Sequence, residues 1–371
     1  MVEMIQKYLK DEIELEYGKG LTSNQRRNGK IPVYGSNGIV DYNDKFYFEG
    51  PGIIIGRKGT VGSVKYEENN FWAIDTTYVV KLKNKNEDLI FWYYFLQTLG
   101  LERMNSHSAV PGLNRDRVYN IKINIPKKQE DRKRISIILR DLDKKIELNN
   151  QINDNLSEQL QLIFNEWFGK YNCNNIPNNW KIKKLKYIAA FSQGVQIPIE
   201  KQKDTPEDGY TRFIRIVDVT QKNDKDIRYI EDTERGKVSE NEIFMIRYGT
   251  PGILSWNYNG IIANNLFKIT PKDNTVSSNY LYSFLNAKPF QNYIKGNATS
   301  STMPAINFST LNDIEVILPD KDSMDRFNEI SETIRLKQLS IIEQNKTLSQ
   351  LRDTLLPKLM NGEIDLNKIK I

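Results

Sequence analysis

Covalent or metal-held architecture has almost nothing to work with in this chain, which carries one cysteine, Cys173, and one histidine, His107. A lone cysteine excludes an internal disulfide, and a lone histidine removes any zinc cage of the usual Cys/His composition. Cys173 lies in a polar linker, so it reads as incidental rather than reactive, and the compartment as a reducing one. No apolar run approaches the roughly 18 uncharged residues of a membrane span, and Met1-Val2-Glu3-Met4-Ile5-Gln6-Lys7 is no basic-then-apolar leader. A soluble, cytoplasmic protein without a membrane partner is expected. Missing too are a G-x-x-x-x-G-K-[ST] phosphate loop, a Glu-x-Lys nuclease element and an Asn/Asp-Pro-Pro-Tyr loop. ATP cleavage, DNA cleavage and amino-methyl transfer therefore lack residues to carry them.

What is present suits two ordinary domains. The 371 residues exceed the span of one typical core, and 39% hydrophobic with 11% aromatic residues is enough to build globules. The 53 Lys+Arg against 47 Asp+Glu leave a net charge of +6, a tilt toward a polyanionic partner that settles nothing alone.

The chain repeats itself, which fixes the architecture. Gly50-Pro51-Gly52-Ile53-Ile54 is matched with Thr250-Pro251-Gly252-Ile253-Leu254, Val80-Lys81-Leu82 with Phe267-Lys268-Ile269, and Phe95-Leu96 with Phe284-Leu285. The closest match runs from Val110-Pro111-Gly112-Leu113-Asn114 to Met303-Pro304-Ala305-Ile306-Asn307, and on to Ile125-Pro126 and Leu318-Pro319. A charged, periodic helix follows each Ile/Leu-Pro. The expected fold is mixed α/β (α+β): two similar globules, each followed by a long helix.

In the first helix Ile135, Leu142, Asn149, Leu156 and Ile163 recur every seven residues, as do Leu139, Ile146, Asn153, Leu160 and Trp167. The second has Phe327, Ile334, Ile341, Leu348 and Leu355, with Gln338, Asn345, Arg352 and Leu359 on the adjoining stripe. A seven-residue stripe must pack on another helix, and its counterpart in the other repeat is the natural partner, giving an antiparallel coiled coil. The polar positions Asn149, Asn153 and Asn345 fit register-setting contacts, while Asn149 and Asn153 fit a helix break as well. The expected boundaries are a globule over 1–126, a helix over 127–168, a linker over 169–179, a globule over 180–319, and a helix with its tail over 320–371.

Within the globules, Ile53-Ile54-Ile55, Thr76-Thr77-Tyr78-Val79-Val80, Ile253-Leu254 and Leu266-Phe267-Lys268-Ile269 read as strands. Gly56-Arg57-Lys58-Gly59-Thr60-Val61-Gly62 reads as a tight basic hairpin turn, and 89–101 and 279–295 as helices. Phe48-Glu49-Gly50-Pro51-Gly52 fits the F-x-G-x-G pattern of S-adenosylmethionine sites, but Tyr248-Gly249-Thr250-Pro251-Gly252 keeps only the turn, so a turn needed twice explains it. His107 between Ser106 and Ser108 invites a nucleophile-and-base reading, yet Ser300-Ser301 stand in that region of the second repeat without histidine.

The loops are the informative part. Arg or Lys suits guanine, Asn or Gln suits adenine, and phosphates take Lys, Arg, Ser, Thr and backbone amides. Such residues cluster at Arg26-Arg27-Asn28, Ser36-Asn37, Arg57-Lys58 and Ser106-His107-Ser108 in the first globule. The second offers Gln193, Gln196, Arg212, Arg215, Asn257, Asn264-Asn265, Asn297, Ser300, Ser301 and Thr302. Any one such loop is ordinarily solvated surface; their recurrence in two repeated globules favours nucleic acid.

Two differing α/β globules, each leading through Ile125-Pro126 or Leu318-Pro319 into heptads, resemble the specificity subunits of type I restriction-modification enzymes. The second helix ends in Leu351-Arg352-Asp353-Thr354-Leu355-Leu356-Pro357-Lys358-Leu359-Met360-Asn361-Gly362-Glu363-Ile364, which is similar to that family's C-terminal signature. The resemblance implies that the globules are target-recognition domains, each reading half of a bipartite double-stranded DNA sequence, with the helices as spacers. It also implies assembly with two modification subunits, which methylate adenine, and with restriction subunits that translocate and cut. Under it this chain binds no cofactor and catalyses nothing; S-adenosylmethionine, ATP and Mg2+ belong to the partners. The sequence enters the first globule almost at once, without a leading helix, which would alter how subunits close around DNA.

Two rivals stand beside this expectation. One is a coiled-coil adaptor joining two protein-binding globules without DNA, separable by the salt dependence of binding. The other is an autonomous DNA methyltransferase, which predicts methyl transfer by the isolated chain.

Overall fold

In a computed structural model, residues 2–104, 112–171, 174–221, 226–298 and 304–369 are described. They form two compact units, one from Met1–Leu148 with Gln344–Ile371 and one from Asn149–Glu343. Each unit thus holds a globule, half of one long helix and half of the other.

The first unit runs β1 (Met4–Tyr8), α1 (Leu9–Glu12), β2 (Ile13–Tyr17), β3 (Ile31–Gly35), β4 (Gly38–Asn43), β5 (Gly52–Gly56), β6 (Val64–Glu67), β7 (Trp72–Ala73), β8 (Thr77–Leu82), α2 (Leu89–Gln97), α3 (Arg115–Tyr119), β9 (Lys122–Pro126) and the start of α4 (Gln129–Phe168). Its main sheet has the order β2-β8-β5-β6, antiparallel throughout. A smaller sheet, β4-β3-β7, contains one parallel pair, and β1 pairs with β9. β5 is buried along its whole length because both faces are covered, which suits its Ile53-Ile54-Ile55 core. The helix α2 buries Phe91, Trp92, Tyr94, Phe95 and Leu96, starting at Asp88, whose Oδ1 accepts from the Ile90 amide at 2.9 Å. It stops short of the expected residue 101, ahead of Gly100 at φ 61°. Its aromatics share a core with Ile135 and Leu139 of α4 and with Leu359, Met360 and Leu366 near the C-terminus.

The second unit continues α4 and then runs β10 (Lys181–Lys184), α5 (Leu185–Ile188), β11 (Ala189–Gln193), β12 (Tyr210–Ile214), α6 (Ile216–Thr220), β13 (Arg228–Glu231), β14 (Lys237–Val238), β15 (Ile243–Ile246), β16 (Leu254–Ser255), β17 (Gly260–Ile262), β18 (Leu266–Pro271), α7 (Ser278–Asn286), α8 (Lys288–Asn297), α9 (Phe308–Asn312), β19 (Glu315–Leu318) and the start of α10 (Lys321–Met360). The main sheet, β11-β18-β15-β16, repeats the first unit's order strand for strand, and β10 pairs with β19 as β1 does with β9. The small sheet is larger by one strand, β13-β12-β17-β14, and again contains one parallel pair. The expected helix over 279–295 is two helices broken at Ala287, because the ring of Pro289 fits the first turn of a new helix and not the interior of an old one.

This topology corrects the frame of the repeat. β5 answers to β15, so Gly50-Pro51-Gly52 has no counterpart in Thr250-Pro251-Gly252, which lies in the turn after β15. The residues that do correspond are Arg57-Lys58-Gly59-Thr60-Val61-Gly62 and Arg247-Tyr248-Gly249-Thr250-Pro251-Gly252. In each, the last glycine donates to the residue that ends the strand: Gly62 to Gly56 at 2.8 Å, Gly252 to Ile246 at 3.1 Å. In the same way Val80, which pairs with Ile53, answers to Ile269, which pairs with Ile243, two residues beyond Phe267. The strand expected at Ile253-Leu254 is Leu254–Ser255, and Ile253 is exposed.

The long helices are 40 residues each and pack antiparallel within each unit. In the first, Arg352 Nη1 of α10 donates to Asp143 Oδ1 of α4 at 2.7 Å. In the second, Gln338 Nε2 of α10 donates to Ser157 Oγ of α4 at 2.8 Å, so a higher number on one helix faces a lower number on the other. α4 runs unbroken through Asn149 and Asn153, which removes the helix-break reading. At its far end Phe164 and Phe168 meet Tyr280 and Phe327, with ring centroids 5.2 to 5.8 Å apart.

Candidate nucleic-acid interface

In both units the loops at one end of the main sheet converge on the turn that follows β5 or β15. In the first unit the Arg57 amide donates to the Thr76 carbonyl at 2.8 Å and the Leu113 amide to the Arg57 carbonyl at 2.8 Å. In the second the Arg247 amide donates to Asn265 at 2.9 Å and the Ile306 amide to Arg247 at 3.1 Å. The isolated bridges Lys58 to Gly112 and Tyr248 to Ala305 complete the match. Each turn is therefore latched between a loop ahead of β8 or β18 and the segment that opens α3 or α9.

The latch spends part of each arginine. Arg57 donates from Nε and Nη2 to the Asp75 carbonyl, at 3.1 and 2.6 Å. Arg247 donates from Nε to the Ile306 carbonyl at 3.2 Å and from Nη2 to Asn307 Oδ1 at 3.1 Å. Both guanidinium groups lie over aromatic rings: Arg57 at 5.1 Å from Tyr17, Arg247 at 5.4 Å from Phe308. Arg115 covers Tyr17 as well, at 5.2 Å. Beneath them burial pushes the Tyr78 hydroxyl up to about 12, aided by its hydrogen bond with Tyr17, so it stays a neutral donor, reaching the Leu113 carbonyl at 3.1 Å.

Among the expected contact residues of the first unit, Ser36, Arg57 and Lys58 come together, since Ser36 Oγ donates to the Lys58 carbonyl and Asn37 follows in the β3–β4 turn. Arg26, Arg27 and Asn28 lie ahead of β3, away from that turn. Arg26 Nη1 pairs with Asp41 at 3.2 Å, the Arg27 amide donates to Asn43 Oδ1 at 2.9 Å, and Asn28 is exposed. Ser106, His107 and Ser108 fall outside the described residues, as do Ser300, Ser301 and Thr302.

In the second unit Gln193, Gln196 and Asn264 form one amide cluster beside the turn. Gln193 Nε2 donates to the Asn264 carbonyl at 2.7 Å and Asn264 Nδ2 to Gln196 Oε1 at 3.2 Å. The remaining residues are held elsewhere. Arg212 lies over Tyr258 at 5.4 Å, and Arg215 is paired with Asp218 at 3.1 Å and Asp226 at 3.3 Å. Asn297 donates to the Tyr293 carbonyl at 2.9 Å. Asn257, at φ 63°, accepts from Arg335 of α10 at 3.4 Å, so its side chain serves the junction of globule and helix. Of the polar helix positions, Asn149 is buried in the second unit and Asn345 belongs to the first, while Asn153 meets Gln338.

Sequence reasoning missed Arg247 and its turn. The signal was present as the shared pattern Arg-x-Gly-Thr-x-Gly, hidden by the competing match between two Pro-Gly pairs. No group of three or more His, Cys, Asp or Glu residues that suits a metal ion occurs among the described residues. None of the helices among them is long and apolar enough to cross a membrane.

Fold and site together define a class: a duplicated α/β module whose two copies share a scaffold and a latched, arginine-bearing turn, differ in the loops around it, and each lead into a long helix. The comparison with known families agrees, since the model of the type I restriction modification DNA specificity domain matches residues 1–158 and again 177–350. The chain belongs to this family. It is 25% identical over 331 residues to the type I restriction enzyme HindI specificity subunit of Haemophilus influenzae, covering 68% of this chain and 71% of that protein. It is 20% identical over 310 residues to the type I restriction enzyme MjaIX specificity subunit of Methanocaldococcus jannaschii, covering 75% and 70%. The crystal structure of a type I restriction-modification system S subunit from M. genitalium shares the fold at a TM-score of 0.55, over 97% of this chain and 96% of that one, with 16% identity.

Proposed function

We propose that this chain is the non-catalytic DNA-recognition subunit of a type I restriction-modification complex, with each globule reading one half of a bipartite double-stranded target. The observation that carries the reading is the recurrence of one latched, arginine-bearing turn on two topologically matched globules whose surrounding loops differ. Two half-sites of different sequence need that combination: variable loops for bases and a constant scaffold to present them. The two helices set the spacing of the half-sites, and two modification subunits methylate adenine within them. S-adenosylmethionine, ATP and Mg2+ are bound by the modification and restriction subunits, and the complex works in the cytoplasm.

The decisive experiment maps methylated adenines in DNA from cells that express this chain with its modification subunits. Two short specific sequences separated by a fixed, unspecified gap are expected. A contiguous recognition sequence overturns the bipartite reading. Absence of any sequence preference, with binding indifferent to salt, would favour a protein-binding adaptor.

A further inference from the structure

We propose that the Arg-x-Gly-Thr-x-Gly turn is a phosphate clamp, one per globule, that grips the DNA backbone identically at both half-sites. The inference rests on the DNA-recognition reading above and adds to it which element supplies the sequence-independent grip. A feature kept the same in two globules whose loops otherwise differ must serve something that both half-sites have in common. Bases differ between half-sites; phosphates do not.

The internal duties of the turn account for only some of its residues. A Cβ at Gly62 would meet the backbone of Glu102 at 2.3 Å, and one at Gly252 the side chain of Ile294 at 2.9 Å, so packing demands both glycines. The latch uses Nε and Nη2 of each arginine. Left over in both copies is the same set: the Nη1 amino group of Arg57 and of Arg247, which has no partner among the described residues, and the tips Gly59-Thr60 and Gly249-Thr250, which are exposed. Gly59 and Gly249 turn the chain at φ 77° and 80°. A Cβ on Gly249 would meet nothing within 4 Å and one on Gly59 would meet Ser36 Oγ at 3.3 Å, so the second tip faces open space and the first has the Ser36 hydroxyl at its side. Each turn thus carries an exposed threonine three positions after an arginine with a spare amino group and contains no carboxylate, a donor set suited to a phosphate oxygen. A protein-docking tip would instead present an aromatic or aliphatic anchor, and Gly-Thr has none.

The test uses the full chain assembled with its modification subunits, carrying Thr60→Asp with Thr250→Asp, against a duplex bearing the mapped site and a scrambled duplex. Affinity for both duplexes is expected to fall together, by about tenfold or more, and the slope of log K against log salt to become shallower by roughly 2. Each single substitution is expected to give about half of that change, and the methylated sequence to stay the same. Thr60→Val with Thr250→Val, which keeps shape and removes only the hydroxyls, is expected to weaken both duplexes to a smaller extent, and it decides the matter should the aspartates unfold the chain. A changed methylated sequence would mean that the turn reads bases; unchanged affinity would make it purely structural; loss of the modification subunits on purification would make it a docking loop. Any of the three overturns the clamp. If the unaltered complex shows no preference for the mapped site, the DNA-recognition reading itself fails, independently of the variants.

Discussion

Asn153 and Gln338 hold each other's backbone: Asn153 Nδ2 donates to the Gln338 carbonyl at 3.5 Å, and Gln338 Nε2 donates to the Asn153 carbonyl at 3.2 Å. Gln338 is buried between the helices and Ser157 completes its donor set. Asn153 Oδ1 and Gln338 Oε1 are left without a partner among the described residues, so the lock costs desolvation and selects a register in return.

Replacing either residue of this lock by leucine is expected to strand polar groups and destabilise the protein by about 1–3 kcal/mol. The double replacement removes both partners at once and should cost less than the sum, with a coupling of about 0.5–3 kcal/mol in urea unfolding. Additive losses would show that the two amides do not act as a pair.

In the first unit an ion pair fastens α4 to its globule. Arg132 of α4 forms a two-pronged pair with Glu87, at 2.7 and 3.0 Å, with both side chains under a tenth exposed, and Gln129 adds a bond to Glu87 at 2.8 Å. Arg132→Met leaves that carboxylate buried and unpaired, and a loss of about 3–5 kcal/mol is expected. Glu87→Gln with Arg132→Met should recover much of it, as read from the urea midpoint. A loss under about 1 kcal/mol for the single variant would place the pair in effective contact with water.

The helices were legible from sequence because a seven-residue period is a one-dimensional signal, and Ile135, Leu139, Leu160, Phe327 and Ile341 are buried as that period requires. The hairpin turn at residues 56–62 was legible from its three glycines, two of which take φ 77°. The site was legible only as composition. Ser36 and Lys58, or Gln193 and Asn264, are far apart in sequence and meet only because sheet order brings their loops together. Asn257 illustrates the converse: an exposed-looking amide in a loop is claimed by Arg335, more than seventy positions further on. No local pattern announces either kind of encounter.

The start of α10 is expected to respond to acid. Asp320 caps the helix, its Oδ1 accepting from the Ser323 amide at 3.0 Å and its Oδ2 from the Trp180 indole at 2.8 Å. These bonds, the Ser323 amide foremost, hold its carboxyl below the usual aspartate range. A carboxylate with a depressed folded pKa contributes stability above its unfolded pKa of about 3.9 and loses it as pH falls through the folded value. Trp180 emission should therefore change below about pH 4, and the change should vanish in Asp320→Asn. Asp320→Ala should cost about 1 kcal/mol at neutral pH. A titration in Asp320→Asn equal to that of the parent would assign the response to another group.

The final prediction concerns the helices as a measure of distance. At about 1.5 Å per residue, a heptad contributes about 10 Å of helix, close to three base pairs at about 3.4 Å each. Deleting one heptad from the middle of both α4 and α10 preserves the seven-residue stripes and the antiparallel sense of the pair. The mapped target should then keep both half-sites while its gap shortens by about three base pairs. A deletion in α4 alone breaks the match of Asn153 with Gln338 and of Asp143 with Arg352, so it should unfold the pair or abolish methylation, with no shortened gap. An unchanged gap after the paired deletion would mean that the partner subunits, and not this chain's helices, set the distance between the half-sites.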